Sequence, residues 1–288
     1  MEDYMVRIIA KEANVRGLAC ITTNLVNGAA QRHAAAPAAT VALGYGLTAA
    51  ALLGASLKVQ QRVAVKVEGD GPLQKMVIEA DSRGRVRGYV AVPEVVVADP
   101  TDVAAALGRH GLLTVVKDLR MKGLYEGVVP LQTGELDRDL TAYLMQSEQV
   151  PSAVELGVRM APGNILVEVA GGLLLQTLPN RQPTGLQTLT ERLDDLPPIK
   201  ELLHDGERPE DVLAALFAGI AYETLETFPL RFDCSCSWAW AERALVLLDR
   251  TDLETLIDEG QAVVDCHFCH ERYIFGREAL EMMLESRE

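Results

Sequence analysis

Four of the chain's five cysteines stand in two tight pairs near the C-terminal end: Cys234-Ser235-Cys236 and, after 29 intervening residues, Cys266-His267-Phe268-Cys269. Folded back on each other, a Cys-x-Cys and a Cys-x-x-Cys supply four thiolates, the donor set of one tetrahedral zinc ion with sulfur ligands at about 2.3 Å. With a single intervening residue, the first pair is a short, stiff claw, unlike the two Cys-x-x-Cys turns of common zinc ribbons. Once metal leaves, the sulfurs of each pair are close neighbours that an oxidant can join locally. The motif is therefore a candidate redox switch as well as a metal staple.

Other chemistries compete for these residues. Cys266 to His270 spells C-x-x-C-H, the attachment motif of c-type haem, but that use needs an exported protein and leaves Cys234 and Cys236 unexplained. A thioredoxin-like catalytic pair needs a βαβ context that the flanking residues do not offer. A purely structural ribbon without switching stays open on these residues alone. His267 and His270 are available as substitute ligands, yet beside four cysteines they read as exposed loop imidazoles. Cys20 stands alone in an apolar run and reads as a buried small hydrophobe.

The length of 288 residues suffices for one large domain and a small one, and 49% hydrophobic against 24% charged residues indicates a globular chain. A formal charge of −14 argues against a nucleic-acid footprint, which needs a concentrated basic face. The opening Met1-Glu2-Asp3 lacks the basic start of an export signal, so a cytoplasmic protein with reduced cysteines is expected. From His33 to Leu57 there is no charged side chain, a length that raises the question of a membrane span. Ala, Gly, Thr and Pro37 dominate that stretch, which favours a helix buried inside the large domain. No nucleophile-elbow, zincin, P-loop or dinucleotide fingerprint occurs, and His33, His110 and His204 form no triad pattern, so no catalytic residue and no enzyme is expected.

Strands are expected at Val6–Ala10 and Arg16–Thr23, and alternation from Arg62 to Val97 predicts an antiparallel meander. Within it Gly69-Asp70-Gly71-Pro72 reads as a turn, and Arg83, Arg85 and Arg87 as a solvated hairpin face. Further strands are predicted at Leu112–Asp118, Tyr125–Leu131, Ile165–Ala170 and Leu173–Thr177. Leu136–Val158 has helical spacing at Leu140, Tyr143, Leu144 and Val154, interrupted by Pro151. Beyond Pro179, Leu186, Leu189, Leu193 and Leu196, and then Val212, Leu213, Leu216, Phe217 and Ile220, mark amphipathic helices broken at Pro197-Pro198. Phe232 to Glu288 is the cysteine domain, with Trp238, Trp240, Tyr273, Ile274 and Phe275 as core candidates.

Over nearly its whole length the chain resembles the redox-regulated 33 kDa heat-shock chaperone family (heat-shock protein 33), a bacterial holdase. The resemblance rests on the two cysteine pairs with Phe268 and Tyr273-Ile274-Phe275 beside them. It also rests on Gly71-Pro72-Leu73, Gly84–Tyr89, Tyr125-Glu126-Gly127, Ser147–Ser152 and Gly171–Pro179. His270 stands where members often carry glycine, and Trp238-Ala239-Trp240 replaces a commonly charged segment. The resemblance implies an α+β architecture: an N-terminal substrate-binding core of antiparallel strands with a buried helix (1–179), a helical linker (180–230) and a C-terminal zinc domain (231–288).

It further implies an ATP-independent chaperone, inactive when reduced and zinc-loaded. Oxidants convert Cys234, Cys236, Cys266 and Cys269 into two neighbouring disulfides, Cys234/Cys236 and Cys266/Cys269, with zinc release and unfolding of the C-terminal region. The active form is a homodimer that holds unfolding client proteins, with no nucleic acid and no membrane involved. Structural zinc contributes an apparent ~10–16 kcal/mol, as much as the ~5–15 kcal/mol stability of a whole small domain. Disulfides closing loops of a few residues return only roughly 1.5–2 kcal/mol, so a module this small is expected to unfold once the metal is gone. The leucine-rich linker would then loosen and uncover apolar surface. The competing class is an enzyme or nucleic-acid-binding protein with a merely structural four-cysteine ribbon.

Overall fold

The computed structural model describes residues 2–163, 166–179 and 184–285. The chain divides into two compact units, Met1–Asp233 and Cys234–Glu288. The first unit runs β1 (Tyr4–Ala10), β2 (Val15–Ile21), α1 (Thr23–Arg32), α2 (Pro37–Ala55), β3 (Arg62–Gly69), β4 (Lys75–Asp81) and β5 (Arg85–Val90). It continues through α3 (Val103–Leu107), β6 (Gly111–Asp118), β7 (Tyr125–Pro130), α4 (Leu136–Gln146), β8 (Ser152–Met160) and β9 (Val167–Thr177). It closes with α5 (Thr184–Asp195), α6 (Ile199–His204), α7 (Pro209–Leu216), β10 (Glu223–Pro229) and β11 (Arg231–Phe232). The second unit holds α8 (Trp238–Val246), α9 (Arg250–Glu259), β12 (Gln261–Asp265), β13 (Arg272–Gly276) and α10 (Arg277–Glu285).

The charge-free stretch forms α2, started by Pro37 at its first turn, where the missing amide hydrogen is no loss. Nearly every residue of α2 is buried, and it touches strands of both large sheets. Among the described residues it is the one helix long and apolar enough to cross a membrane, and 94% of that window lies inside the protein. Its Ala and Gly content explains the placement, because small side chains let two sheets approach one helix closely.

One sheet has the order β10-β1-β2-β9-β8 and the other β11-β5-β4-β3-β6-β7. All pairings are antiparallel except the short β11–β5 pair. The five-stranded sheet is covered on both faces. Met5, Leu18, Cys20 and Leu174 join the core around α2, while Ile8, Ala19, Leu173 and Leu175 meet Leu189, Leu203, Leu213 and Phe217 of the α5–α7 region. A strand buried on both sides reads as a continuous apolar run, which is why Gly171–Thr177 lacks alternation. The glycine pair at its head serves both faces. A Cβ on Gly171 would sit 2.4 Å from Leu203 Cδ1, and one on Gly172 would sit 2.7 Å from Thr48 Cγ2 of α2.

Several expectations need correction. The helical pattern predicted over Leu136–Val158 stops at Gln146; Gln149 takes a positive φ of 56°, Pro151 follows, and Ser152–Met160 is β8, with Val154 paired to Leu174. The two strands predicted between Ile165 and Thr177 are one strand, β9, while Ile165 lies outside the described residues. Helix α1 was not foreseen; its N-terminal amides at Asn24 and Leu25 are capped from a distance by the buried Asp3 carboxylate, at 3.0 and 2.6 Å. The segment expected to be a helical linker holds the three helices α5, α6 and α7, but Glu223–Pro229 is an edge strand on β1. Residues 180–183 lie outside the described residues. The Gly69–Pro72 turn is held by Asp70, whose carboxylate accepts the Arg109 and His110 amides at 3.0 and 3.1 Å. Arg85 and Arg87 pair with Asp81 and Glu79 on the hairpin.

Replacing Gly172 by Ala should lower the unfolding free energy of the first unit by about 1–3 kcal/mol, the range for overpacking a tight core. Adding Thr48→Ser removes the clashing methyl while keeping a hydroxyl for the 2.7 Å contact with Thr22, and should recover part of that loss in a denaturant titration.

Candidate metal and redox centre

The second unit combines the four cysteines with a small hydrophobic core. Its core consists of Ala241, Leu245, Leu253, Ala262, Phe275, Leu280 and Met283, with Phe275 the one aromatic among them. Of the core residues expected from sequence, Trp238, Trp240 and Ile274 are instead 51%, 40% and 50% exposed. The alternation of β13 explains Ile274: Tyr273 and Phe275 share one face, and Ile274 points the other way. Trp238 still covers Phe275, with ring centroids 4.3 Å apart, and meets the Tyr273 ring edge-on at 6.3 Å.

Cys234 and Cys236 lie in the extended segment leading into α8, which Ser237 caps by accepting the Trp240 amide at 3.2 Å. Cys266 and Cys269 lie in the turn of the β12–β13 hairpin. Arg272 and Asp265, the last register pair, close that hairpin with an ion pair of 2.8 Å. Within the turn the His270 amide donates to Cys266 O at 2.8 Å, and the Cys266 amide donates to Glu271 O at 2.9 Å. His270 adopts φ 59°, a left-handed conformation that favours glycine and in which His is among the better-tolerated alternatives.

These two segments bring all four sulfurs within 4.8 Å of one another. Cys234 Sγ stands 3.7 Å from Cys266 Sγ, and Cys236 Sγ stands 3.3 Å from Cys269 Sγ. Such spacings are too long for disulfides, whose sulfurs lie about 2.0 Å apart, and close to the ~3.8 Å edge of a tetrahedron with 2.3 Å arms. The donor set thus fits a single soft divalent cation such as zinc. Cys266 is buried and the other three are half-buried. Burial pushes the Cys236 and Cys269 thiols above their ordinary range, opposed by hydrogen bonds from Tyr273 and from the Glu271 backbone respectively. Four thiolates at these distances therefore need a cation to hold them together.

The sulfur cluster brings together every cysteine singled out in the C-terminal region and includes neither His267 nor His270. The hairpin turn also differs from the strand-to-helix setting of a thioredoxin-like pair. Cys20 sits elsewhere, fully buried in β2, where burial raises its thiol well above the usual range. Sequence reading missed the Tyr273 hydroxyl, which donates to Cys236 Sγ at 3.2 Å; the residue was legible only as an apolar position.

Both tryptophans of the chain, Trp238 and Trp240, lie in the second unit, so indole fluorescence reports on that unit alone. Stripping metal with a chelator under reducing conditions should red-shift the emission and abolish cooperative unfolding of the unit, while far-ultraviolet circular dichroism of the first unit persists. Changing any one of Cys234, Cys236, Cys266 or Cys269 to Ala should lower bound zinc, assayed with a chromophoric chelator, by at least about ten-fold in affinity. Cys20→Ala should leave it unchanged.

The Hsp33 protein family matches residues 3–276 of the chain. The 33 kDa chaperonin of Citrifermentans bemidjiense is 46% identical over 288 residues, spanning 99% of this chain and 97% of the relative. The 33 kDa chaperonin of Bacillus subtilis is 40% identical over 284 residues, spanning 97% of each. The crystal structure of the 33 kDa chaperonin from Thermotoga maritima superimposes with a TM-score of 0.89 at 33% identity, covering 99% of this chain and 98% of that one.

Proposed function

The chain belongs to the Hsp33 family of redox-regulated chaperones, and from that premise we propose that its four-thiolate centre is the switch. In the reduced protein Cys234, Cys236, Cys266 and Cys269 hold one zinc ion, which supplies the charge that keeps four thiolates together in a unit with a thin core. Oxidation to two disulfides withdraws all four ligands at once. Two short-loop disulfides contribute roughly 1.5–2 kcal/mol each, against ~10–16 kcal/mol for structural zinc, so the unit loses its fold.

The single observation that carries this reading is the convergence of all four sulfurs in a module whose core has only seven buried hydrophobic residues among those described. The connectivity Cys234/Cys236 and Cys266/Cys269 is the one the family resemblance implies, and the adjacency of each pair in sequence is compatible with it. The cross-motif approaches of 3.7 and 3.3 Å offer a competing pairing, and peptide mapping of the oxidised protein should return the adjacent pairs.

Client capture then falls to apolar surface on the first unit. Leu186, Leu189, Leu203, Leu213, Leu216 and Phe217 are buried against the five-stranded sheet, and each is worth about 1.5–3 kcal/mol of burial that is lost if α5–α7 lift away. β11 is joined to Cys234 through Asp233 alone, so disorder in the second unit begins one residue from the strand that follows this segment. The active form binds partly unfolded proteins without ATP, as a homodimer in the cytoplasm, where reducing conditions keep the thiols available at rest.

Zinc release should be titrated against hydrogen peroxide while the same samples are assayed for suppression of aggregation of a heat-unfolded protein. Suppression should rise in step with zinc loss. Equal suppression before and after zinc loss would leave a structural ribbon as the better account. Amide exchange across residues 184–230 should accelerate at least about ten-fold in the oxidised form; unchanged protection there would remove the linker from the mechanism.

A further inference from the structure

We propose that Tyr273 sets how readily the Cys234/Cys236 pair is oxidised, through the hydrogen bond its hydroxyl donates to Cys236 Sγ. The proposal rests on the reading of the four thiolates as an oxidant sensor. Tyr273 lies on β13 opposite Val264, half-buried, with its hydroxyl 3.2 Å from Cys236 Sγ. Its ring is held from the side by Trp238, edge-on at 6.3 Å and 79°. The hydroxyl is thus aimed by the hairpin and steadied by an aromatic neighbour, rather than left to rotate in solvent.

The sulfurs differ in what touches them. Cys269 is assisted by a backbone amide, that of Glu271, which every side chain at that position would supply. Cys236 accepts a hydrogen bond from a phenol, which a residue without a hydroxyl at position 273 would remove. Tyr273 is therefore a place where sequence can tune one cysteine pair without altering the ligand set.

The chemistry fixes the sign. With a hydroperoxide as oxidant, a thiolate sulfur attacks the distal oxygen, the O–O bond breaks, and the leaving oxygen takes a proton to become water or an alcohol. The second thiolate of the pair then attacks the resulting sulfenic sulfur and expels hydroxide, which is protonated to water. In all, two thiolates give up two electrons, one S–S bond forms and the peroxide is reduced. An O–H donor draws electron density from the sulfur lone pair that must attack, and that hydrogen bond weakens as the new S–O bond forms. Tyr273 is a positioning residue that raises this barrier. Losing the hydroxyl should speed oxidation of the pair about five-fold, the rate equivalent of ~1 kcal/mol.

The test uses full-length, zinc-loaded wild-type protein, Tyr273→Phe and Tyr273→3-fluorotyrosine, whose ring substituent makes the phenol a stronger donor. Each is exposed to hydrogen peroxide at neutral pH, quenched in acid, and its thiols labelled before and after reduction, so that peptide mass spectrometry gives a separate rate for each pair. Tyr273→Phe should accelerate Cys234/Cys236 about five-fold, 3-fluorotyrosine should slow it, and Cys266/Cys269 should stay within about two-fold in both. Equal Cys234/Cys236 rates in all three proteins would overturn the proposal, as would both variants shifting both pairs in one direction, the mark of a merely structural role. If Tyr273→Phe loses zinc before oxidant is added, the 3-fluorotyrosine protein decides alone, and a rate not below wild type overturns the proposal. Wild-type protein that oxidises without gaining aggregation suppression would instead sink the proposed function and leave the pair-rate comparison standing.

Discussion

Four sulfur atoms from two distant segments lie within 4.8 Å of one another, and the hairpin and helix cap that carry them hold those segments in place. Like-charged thiolates repel, and in this unit burial further disfavours their charged forms at Cys236 and Cys269. A hairpin closed by Arg272–Asp265 and a helix capped by Ser237 deliver the ligands, yet the core behind them contains one fully buried aromatic ring. The stability of the unit and the geometry of its four sulfurs are thus closely tied, which is the basis of the function proposed above.

The first unit is organised on the opposite plan. Its central sheet is sandwiched between α2 on one face and α5–α7 on the other, and Gly171 and Gly172 let both layers approach the same strand. One layer, the α2 side, is tied into both large sheets. The other layer lies over the five-stranded sheet alone and is followed by an edge strand and a two-residue strand before Cys234. That asymmetry gives the two layers unequal ties to the rest of the first unit. Apolar side chains of the five-stranded sheet lie beneath α5–α7, in a cluster separate from the one around α2.

Much of this is legible in the amino-acid sequence. Cysteine spacing identified the four residues that converge, the absence of charge marked α2, and alternation found β3 to β5, because these signals are local and periodic. What sequence did not show was set by contacts distant along the chain. Asp3 looked like a mere acidic start until it appeared beneath the amides of α1, and Val154 matched a helical period although its partner is Leu174 on a strand. At the site, Tyr273 counted as apolar bulk because nothing in a one-dimensional string says that its oxygen meets a sulfur 37 positions earlier.

Helix α2 emerges early during synthesis, whereas β8 and β9, two of the strands that enclose it, end at Met160 and Thr177. While more than a hundred further residues are being made, the uncharged stretch lacks two of the strands that cover it in the finished fold. The first unit is thus built around a segment made early and closed by strands made late, so its core cannot be completed until β9, the strand between β2 and β8, has been synthesised.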